Sequence, residues 1–409
     1  MKINKISILG LGYIGLPLAV ILADKSCKIY GFDKDQKVLE NIKKLKIKIK
    51  EKDLLKKFKS QKVQKNFKTS SKIIKSDVYI LAVPTPFNKK VLKPDISAVK
   101  SAIYKIIHLL ESGNLIIIES TCPVGTTEII KKIIYKKRND LKKDSINISY
   151  CPERILPGNT LKELISNDRI IGGIDLKSSK YAEKIYKKFV KGSLNLTNSK
   201  TAEMCKLVEN TYRDINIAYA NELSIICEKL KIDVWNLIKL ANLHPRVNIL
   251  NPGPGVGGHC IAVDPWFLIS QNKKLSKLIY SARKVNLEKI KWVIKEVNKK
   301  IKQINLKKNH KKISISFFGA TYKVNSEDLR ESPSLKIINY FLKKTSITTF
   351  VVEPNIDKSK FKNLNLISKN EAINKSDLLV FLVNHKEFKN FKKINKSKIL
   401  DISGLLNKL

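Results

Sequence analysis

Two doubly wound α/β domains joined by a helical middle domain with a long central helix are the fold this 409-residue sequence predicts. Three observations carry the prediction. Apolar strand-like runs alternate with helical stretches through the first half. Residues 201–230 contain neither Gly nor Pro. The run 312–319 (KISISFFG) echoes the opening KISILG. The length also exceeds what one ordinary core accommodates, so two or three domains are expected.

In chain order, residues 5–10 form an apolar strand ending in glycine, a helix begins near Ile14, and 28–33 (KIYGFD) form the next strand. Buried-strand patterns recur at 77–83, 115–119, 147–151 and 169–173, with helical segments such as 97–111 and 126–138 between them. This alternation implies a parallel, doubly wound sheet. Residues 201–230 are apolar along one stripe and polar along another, which fits one helix of about 45 Å. A Gly/Pro-rich loop follows at 251–258, and helical character resumes over 275–302. Strands at 348–353, 377–383 and 398–402 complete a second α/β domain. The expected boundaries are 1–197, 198–302 and 303–409, with the Lys-rich span 303–312 as linker.

The formal charge of +44 resembles a nucleic-acid signature, but its make-up argues otherwise. Only seven of the 80 basic residues are Arg, the preferred residue for bidentate phosphate and base recognition. The lysines are scattered rather than clustered, which fits solvated surfaces and at most weak, salt-sensitive polyanion binding. No specific nucleic-acid partner is expected. The six cysteines form no CxxC pair and no metal-ligand spacing with the five histidines, so a reduced, metal-free, cytoplasmic protein is expected. Lys2 and Lys5 precede an apolar run to Ala23 that could mimic a signal peptide, yet that run holds a phosphate-loop pattern. No apolar stretch approaches the roughly 20 residues that span a bilayer.

The phosphate-loop pattern is Gly10-Leu11-Gly12-Tyr13-Ile14-Gly15, placed after a strand and opening a helix. Asp33 ends the second strand, 18 residues beyond Gly15. Glycines there permit a tight turn and close approach of a pyrophosphate to a helix N-terminus, while the carboxylate suits the adenine ribose diol. NAD rather than NADP is the expected cofactor, with Lys34 acting in the opposite sense, and the domain is Rossmann-like.

The stretch 251–265 (NPGPGVGGHCIAVDP) places four glycines around Cys260, in a loop with no evident packing reason for them. Such glycines let a substrate and backbone N–H groups approach the sulfur, so Cys260 is a candidate nucleophile. The alternative is a structural cysteine of the kind expected at Cys227. Lys206 and Asn210 share a helix face, which suits either a site or a solvated surface. Glu153 and Arg154 follow a strand's C-terminal end, where open α/β sheets bind ligands. Asp264-Pro265 could be only a turn opening a helix.

Six ordered blocks make the chain resemble the UDP-glucose/GDP-mannose dehydrogenase family over essentially its whole length. They are ILGLGYIGLPLA, ESTCPVGTTE, YCPERILPGNT, TAEMCKLVENTYRDINIAYANEL, HPRVNILNPGPGVGGHCIAVDPWF and FFGATYKVNSEDLRESPS. Through CPERILPGN, HPRVNI and GGHCIAVDPWF it is most similar to the members acting on UDP-N-acetyl-D-mannosamine. The resemblance implies an NAD-dependent, four-electron oxidation at C6 to the uronate, for surface polysaccharide precursors. Asp264 with Lys206 and a water would assist deprotonation of the hydroxyl, and Cys260 would form a thiohemiacetal and then a thioester. Glu153 would assist hydrolysis, while Lys206 and Asn210 would stabilise the anionic oxygen. Thr85, Thr121 and Arg330 would join the 10–15 loop at the cofactor. Arg154, Arg213, Arg246, Gly257 and Lys323 would join Glu153, Lys206 and Asn210 at the nucleotide sugar. A homodimer through the long helix would supply Arg246 from the neighbouring subunit. His259 stands where the glucose enzymes typically carry a small residue, and it would tune the thiol or shape the pocket.

Two alternatives bound the expectation. One keeps the chemistry with UDP-N-acetylglucosamine or UDP-glucose as substrate. The other is a catalytically inactive relative that binds polyanions, which the intact motifs argue against.

Overall fold

The computed structural model describes residues 3–47, 49, 51–88, 91–155, 158–307, 312–357, 359, 361–388 and 395–406. The chain separates into two compact units, Met1–Val208 and Glu209–Leu409.

The first unit is built on an eight-stranded sheet. Its order is Leu194–Asn198, Arg169–Gly173, Asn147–Tyr150, Leu115–Ile118, Val78–Leu81, Lys5–Leu9, Lys28–Phe32 and Phe67–Thr69. The six strands from Asn147–Tyr150 to Phe67–Thr69 are parallel. Successive residues alternate between two apolar layers, which is why the central strands read as unbroken apolar runs. Ile8, Ile80 and Ile117 face one layer, whereas Leu9, Leu81 and Ile118 face the other.

Two features depart from the sequence reading. Arg169–Gly173 pairs antiparallel with Asn147–Tyr150, and Leu194–Asn198 runs parallel to Arg169–Gly173. Between Asn147–Tyr150 and Arg169–Gly173 the chain turns back and enters the sheet in the opposite direction. Glu51 accepts hydrogen bonds from Gly158 N, Thr160 N and Thr160 Oγ1, clamping the start of helix Thr160–Ser166. The second departure lies in 34–76, where short helices Gln36–Lys43, Lys52–Phe58 and Gln61–Asn66 precede the edge strand Phe67–Thr69.

In the second unit a four-stranded parallel sheet has the order Ile347–Val352, Ile313–Phe318, Leu378–Phe381, Ile399–Asp401. The sequence echo becomes a structural one. Gly319 (φ +90°) donates to Val352 O as Gly10 (φ +95°) donates to Phe32 O, closing the same strand-end turn twice. Helix Lys277–Lys307 runs into the span expected as linker, and residues 308–311 lie outside the described ones. Helix Ser199–Leu230 contains the division after Val208. Among the described residues no helix is long and apolar enough to cross a membrane.

Candidate active site

Parallel strands put their C-terminal ends side by side, so the loops that follow them share one edge of the first sheet. Loop 10–15 follows the central strand, with Asp33 on one side and the loops carrying Thr85 and Thr121 on the other. A Cβ on Gly10 would lie 2.4 Å from Ala82 O, and one on Gly15 would lie 1.9 Å from Gly10 O. Both positions therefore admit only glycine. A Cβ on Gly12 would meet nothing within 4 Å, leaving a bare backbone cradle ahead of helix Gly15–Asp24. Asp33 is half-buried and ties the turn as well as closing it: Oδ2 accepts Leu11 N at 2.9 Å and Oδ1 accepts Asp35 N at 3.0 Å. Tyr13 is exposed and Ile14 precedes the helix. This cradle, open over Gly12 at a helix N-terminus and with a nearby carboxylate, fits a dinucleotide.

Ser120 Oγ donates to Val83 O at 2.7 Å, joining the Thr121 and Thr85 loops. Glu203 secures the turn after Thr121: its carboxylate accepts Gly125 N at 2.5 Å, Thr127 N at 2.8 Å and Thr127 Oγ1 at 2.7 Å. One helical turn further, Lys206 is buried, so this face of the helix is not a solvated one. Lys206 Nζ donates to Glu153 O at 2.5 Å. The Glu153 carboxylate bends back to accept Ile155 N, and burial pushes its carboxyl above the ordinary value against the pull of the Lys206 ammonium. Arg154 Nη1 donates to Asp168 O at 3.3 Å.

Beneath these groups lies a buried network that the sequence did not disclose. Arg169 Nη2 donates to Glu119 Oε1 at 2.7 Å, and Tyr186 OH donates to the same oxygen at 2.5 Å. Burial raises the Glu119 carboxyl while Arg169 opposes it.

The second unit carries the cysteine loop. Cys260 is half-buried in a turn whose carbonyl accepts Val263 N and Asp264 N, leading into helix Asp264–Gln271. Asp264 is more than the opening of that helix. Its buried carboxylate accepts Asn210 Nδ2 at 2.6 Å, so these two predicted residues are brought together. The glycines, contrary to expectation, have packing reasons. A Cβ on Gly257 would lie 2.6 Å from Tyr322 Cβ, and one on Gly258 (φ +80°) would lie 2.8 Å from the Tyr322 ring. Gly258 N also donates to Arg330 O at 3.0 Å, so the loop rests on segment 322–330. Only Gly253 is open.

A polar relay pins the loop's beginning. Arg283 Nη1 and Asn286 Nδ2 donate to Asp214 Oδ1 at 2.6 and 2.8 Å. Asn221 Nδ2 donates to Asn286 Oδ1 at 2.9 Å, and Gly253 N donates to Asn221 Oδ1 at 2.8 Å. The only sequence signal for it is a set of polar residues on helical faces, which solvated faces share. Arg330 pairs with Asp328 at 2.6 Å, Lys323 is half-buried, and Arg213 and Arg246 are exposed. Against the upward push of burial, Arg330 and then the exposed His259 hold the Asp328 carboxyl below its ordinary value. Among the described residues no two cysteines form a disulfide. Among the described residues no cluster of His, Cys, Asp or Glu could hold a metal.

A glycine cradle and acid at the edge of a parallel sheet, with a second strand-glycine turn in the other unit, define a nucleotide-cofactor α/β enzyme. Comparison with known proteins narrows this class. Residues 4–190, 200–288 and 316–408 match the NAD binding, central and UDP binding domains of the UDP-glucose/GDP-mannose dehydrogenase family. The chain belongs to that family. It is 45% identical to a UDP-N-acetyl-D-mannosamine dehydrogenase of Campylobacter jejuni, over 95% of this chain and 97% of the relative. It is 44% identical to one from Escherichia coli K12, over 99% and 100%. A solved structure of a UDP-N-acetyl-mannosamine dehydrogenase from S. aureus superposes with a TM-score of 0.86 at 36% identity, covering 98% and 95%.

Proposed function

We propose that this chain oxidises the C6 hydroxymethyl group of UDP-N-acetyl-D-mannosamine to a carboxylate in two hydride transfers. The observation that carries the reading is the Cys260 turn leading directly into Asp264, whose carboxylate Asn210 holds. NAD⁺, held at loop 10–15 and Asp33, supplies the hydride acceptor for both oxidations.

Asp264, assisted by Lys206 and a water, takes the hydroxyl proton as the C6 hydrogen leaves as hydride. Cys260 Sγ adds to the aldehyde carbon, which keeps the reactive carbonyl tethered. Loss of a second hydride from that thiohemiacetal leaves a thioester. Water then cleaves the C–S bond, releasing the carboxylate and restoring the thiol. Lys206 and Asn210 stabilise the oxygen while it is anionic. Glu153 serves as base in the hydrolysis, and burial moves its carboxyl in the direction such a base requires. Thr85, Thr121 and Arg330 hold the cofactor, while Arg154, Arg213, Gly257, Lys323 and a neighbouring subunit's Arg246 hold the nucleotide sugar. These roles divide the chain into a cofactor domain (1–197), a helical dimerisation domain (198–302) and a UDP-sugar domain (303–409).

A homodimer through the long helix is supported by an apolar stripe. Tyr212, Tyr219 and Ile226 recur every seven residues, and each is at least 47% exposed. Their side of the helix offers a second copy three exposed apolar side chains in register. The product class suits a cytoplasmic supply of precursors for surface polysaccharide.

The deciding experiment is the NADH formed per UDP-N-acetyl-D-mannosamine consumed by the purified protein. Two equivalents with a new carboxylate support the reading. One equivalent leaves Cys260 without its role, and faster turnover of UDP-N-acetylglucosamine or UDP-glucose changes the sugar.

A further inference from the structure

The strand-glycine turns of the two units end against an acid in the same way. Asp33 follows strand Lys28–Phe32, and Glu353 follows Ile347–Val352. Each accepts a backbone N–H from the opposite turn: Leu11 N at 2.9 Å for Asp33, and Ala320 N at 2.7 Å with Thr321 N at 3.2 Å for Glu353. They differ in what else they meet. Asp33 is half-buried, whereas the Glu353 side chain is wholly buried against His385, with Nε2 and Oε2 3.1 Å apart. Glu353 Oε1 also accepts Asn355 N at 3.0 Å. A carboxylate enclosed in this way cannot also take a ribose diol, so the acid of the second fold has a different task.

That task is visible at His385. Asn325 N lies 2.9 Å from Nδ1, and a backbone amide can only donate, so Nδ1 accepts. Asn355 Nδ2 lies 3.1 Å from the same nitrogen. The ring proton therefore sits on Nε2, directed at Glu353. Loop 319–325 is thus tied at its start to Glu353 and at its end to His385. Thr321 Oγ1 donates across it to Lys323 O at 3.0 Å. Asn325 holds a left-handed backbone (φ +54°), a conformation that non-glycine residues keep only when their surroundings impose it.

We propose that His385 and Glu353 are positioning residues that fix loop 319–325 so that Lys323 meets the diphosphate of the nucleotide sugar. The proposal rests on the reading that Lys323 binds that substrate. The buried pair does not touch substrate; it sets the path of the backbone that carries the lysine.

The test is steady-state kinetics of the full chain together with calorimetric binding of UDP alone. His385→Leu removes the ring's contacts with Glu353, Asn325 N, Asn355 and Thr321. It should raise KM for UDP-N-acetyl-D-mannosamine and weaken UDP by about tenfold, with KM for NAD⁺ unchanged within about twofold. His385→Asn keeps an acceptor near Nδ1 and should recover most of the loss. Should His385→Leu fail to fold, Thr321→Val, which removes the bond to Lys323 O and the 3.3 Å contact with His385 Nε2, should weaken UDP by about threefold. Unchanged UDP affinity in a folded variant, or an equal loss for NAD⁺, overturns the proposal while leaving the proposed function standing. A wild type that neither binds UDP nor oxidises any UDP-sugar would remove both.

Discussion

Cys260 differs from Cys122 and Cys151 in its surroundings rather than in its chemistry. Cys122 and Cys151 are fully buried, and burial drives both thiols far up, out of reach of deprotonation. Cys260 is half-exposed in a turn beside Tyr322 and one helical step from Asp264. Replacing it by Ser should lower steady-state uronate formation by about a thousandfold or more, because a hemiacetal alkoxide gives no activated ester. Normal uronate output from Cys260→Ser would remove the covalent route. Lys289 makes a second case at this scale. It is buried, donates to Ser224 Oγ at 2.7 Å and lies 3.6 Å over the Trp292 ring. Burial pulls its ammonium down to about 7 against Glu228 and Glu296. Since the folded value is depressed, the unfolded chain binds more protons above it, and stability rises with pH from about 7 to about 10.5. Lys289→Met should raise Tm below pH 7 and flatten that rise, as thermal scans across the range would reveal. Residue chemistry was legible where it stands in a pattern, as at loop 10–15 with Asp33. Lys206 and Asn210 were ambiguous because a solvated helix face has the same spacing. Glu119, Arg169 and Tyr186 left no signal, since only the tertiary packing of a strand end, a second strand and a helix brings them together.

At the scale of elements, the helix Ser199–Leu230 does more than connect. It sends Glu203 to the Thr127 turn, Lys206 to Glu153, Asn210 to Asp264 and Asn221 to Gly253. Its existence was legible from the absence of Gly and Pro over 201–230, and so were the central strands from their apolar runs. The antiparallel pairing of Arg169–Gly173 was not legible, because strand direction depends on how the preceding segment is held, here by Glu51. Nor were the packing duties of Gly257 and Gly258, which come from Tyr322, some 65 residues away. The relay through Asn221 tests the helix's role in shaping the cysteine loop. Asn221→Leu keeps the volume but leaves Gly253 N and Asn286 Oδ1 without their partners. The expected loss is about 2 kcal/mol of stability in denaturant titrations. A fall in kcat exceeding any change in KM for NAD⁺ should accompany it. A stable variant with normal kcat would mean that the loop keeps its shape without the relay.

For the whole molecule, the charge of +44 and the apolar helix stripe suggest different partners, and the two can be separated. A lysine-rich, arginine-poor surface predicts only weak polyanion binding that disappears with salt, which requires no site. The stripe of Tyr212, Tyr219 and Ile226 is exposed apolar surface, and the proposed dimer would cover it with a second copy. Tyr219→Glu combined with Ile226→Glu should convert a dimer into monomers by sedimentation, and the monomers should lose activity if Arg246 serves the neighbouring subunit. Mixing variants decides that last point without disturbing the interface. Arg246→Ala and Cys260→Ser should each be inactive as homodimers. In a mixed dimer, the subunit that retains Cys260 receives an intact Arg246 from its partner, so activity should reappear on co-refolding. If Arg246 serves its own subunit, every site in the mixture lacks one group or the other, and no activity returns.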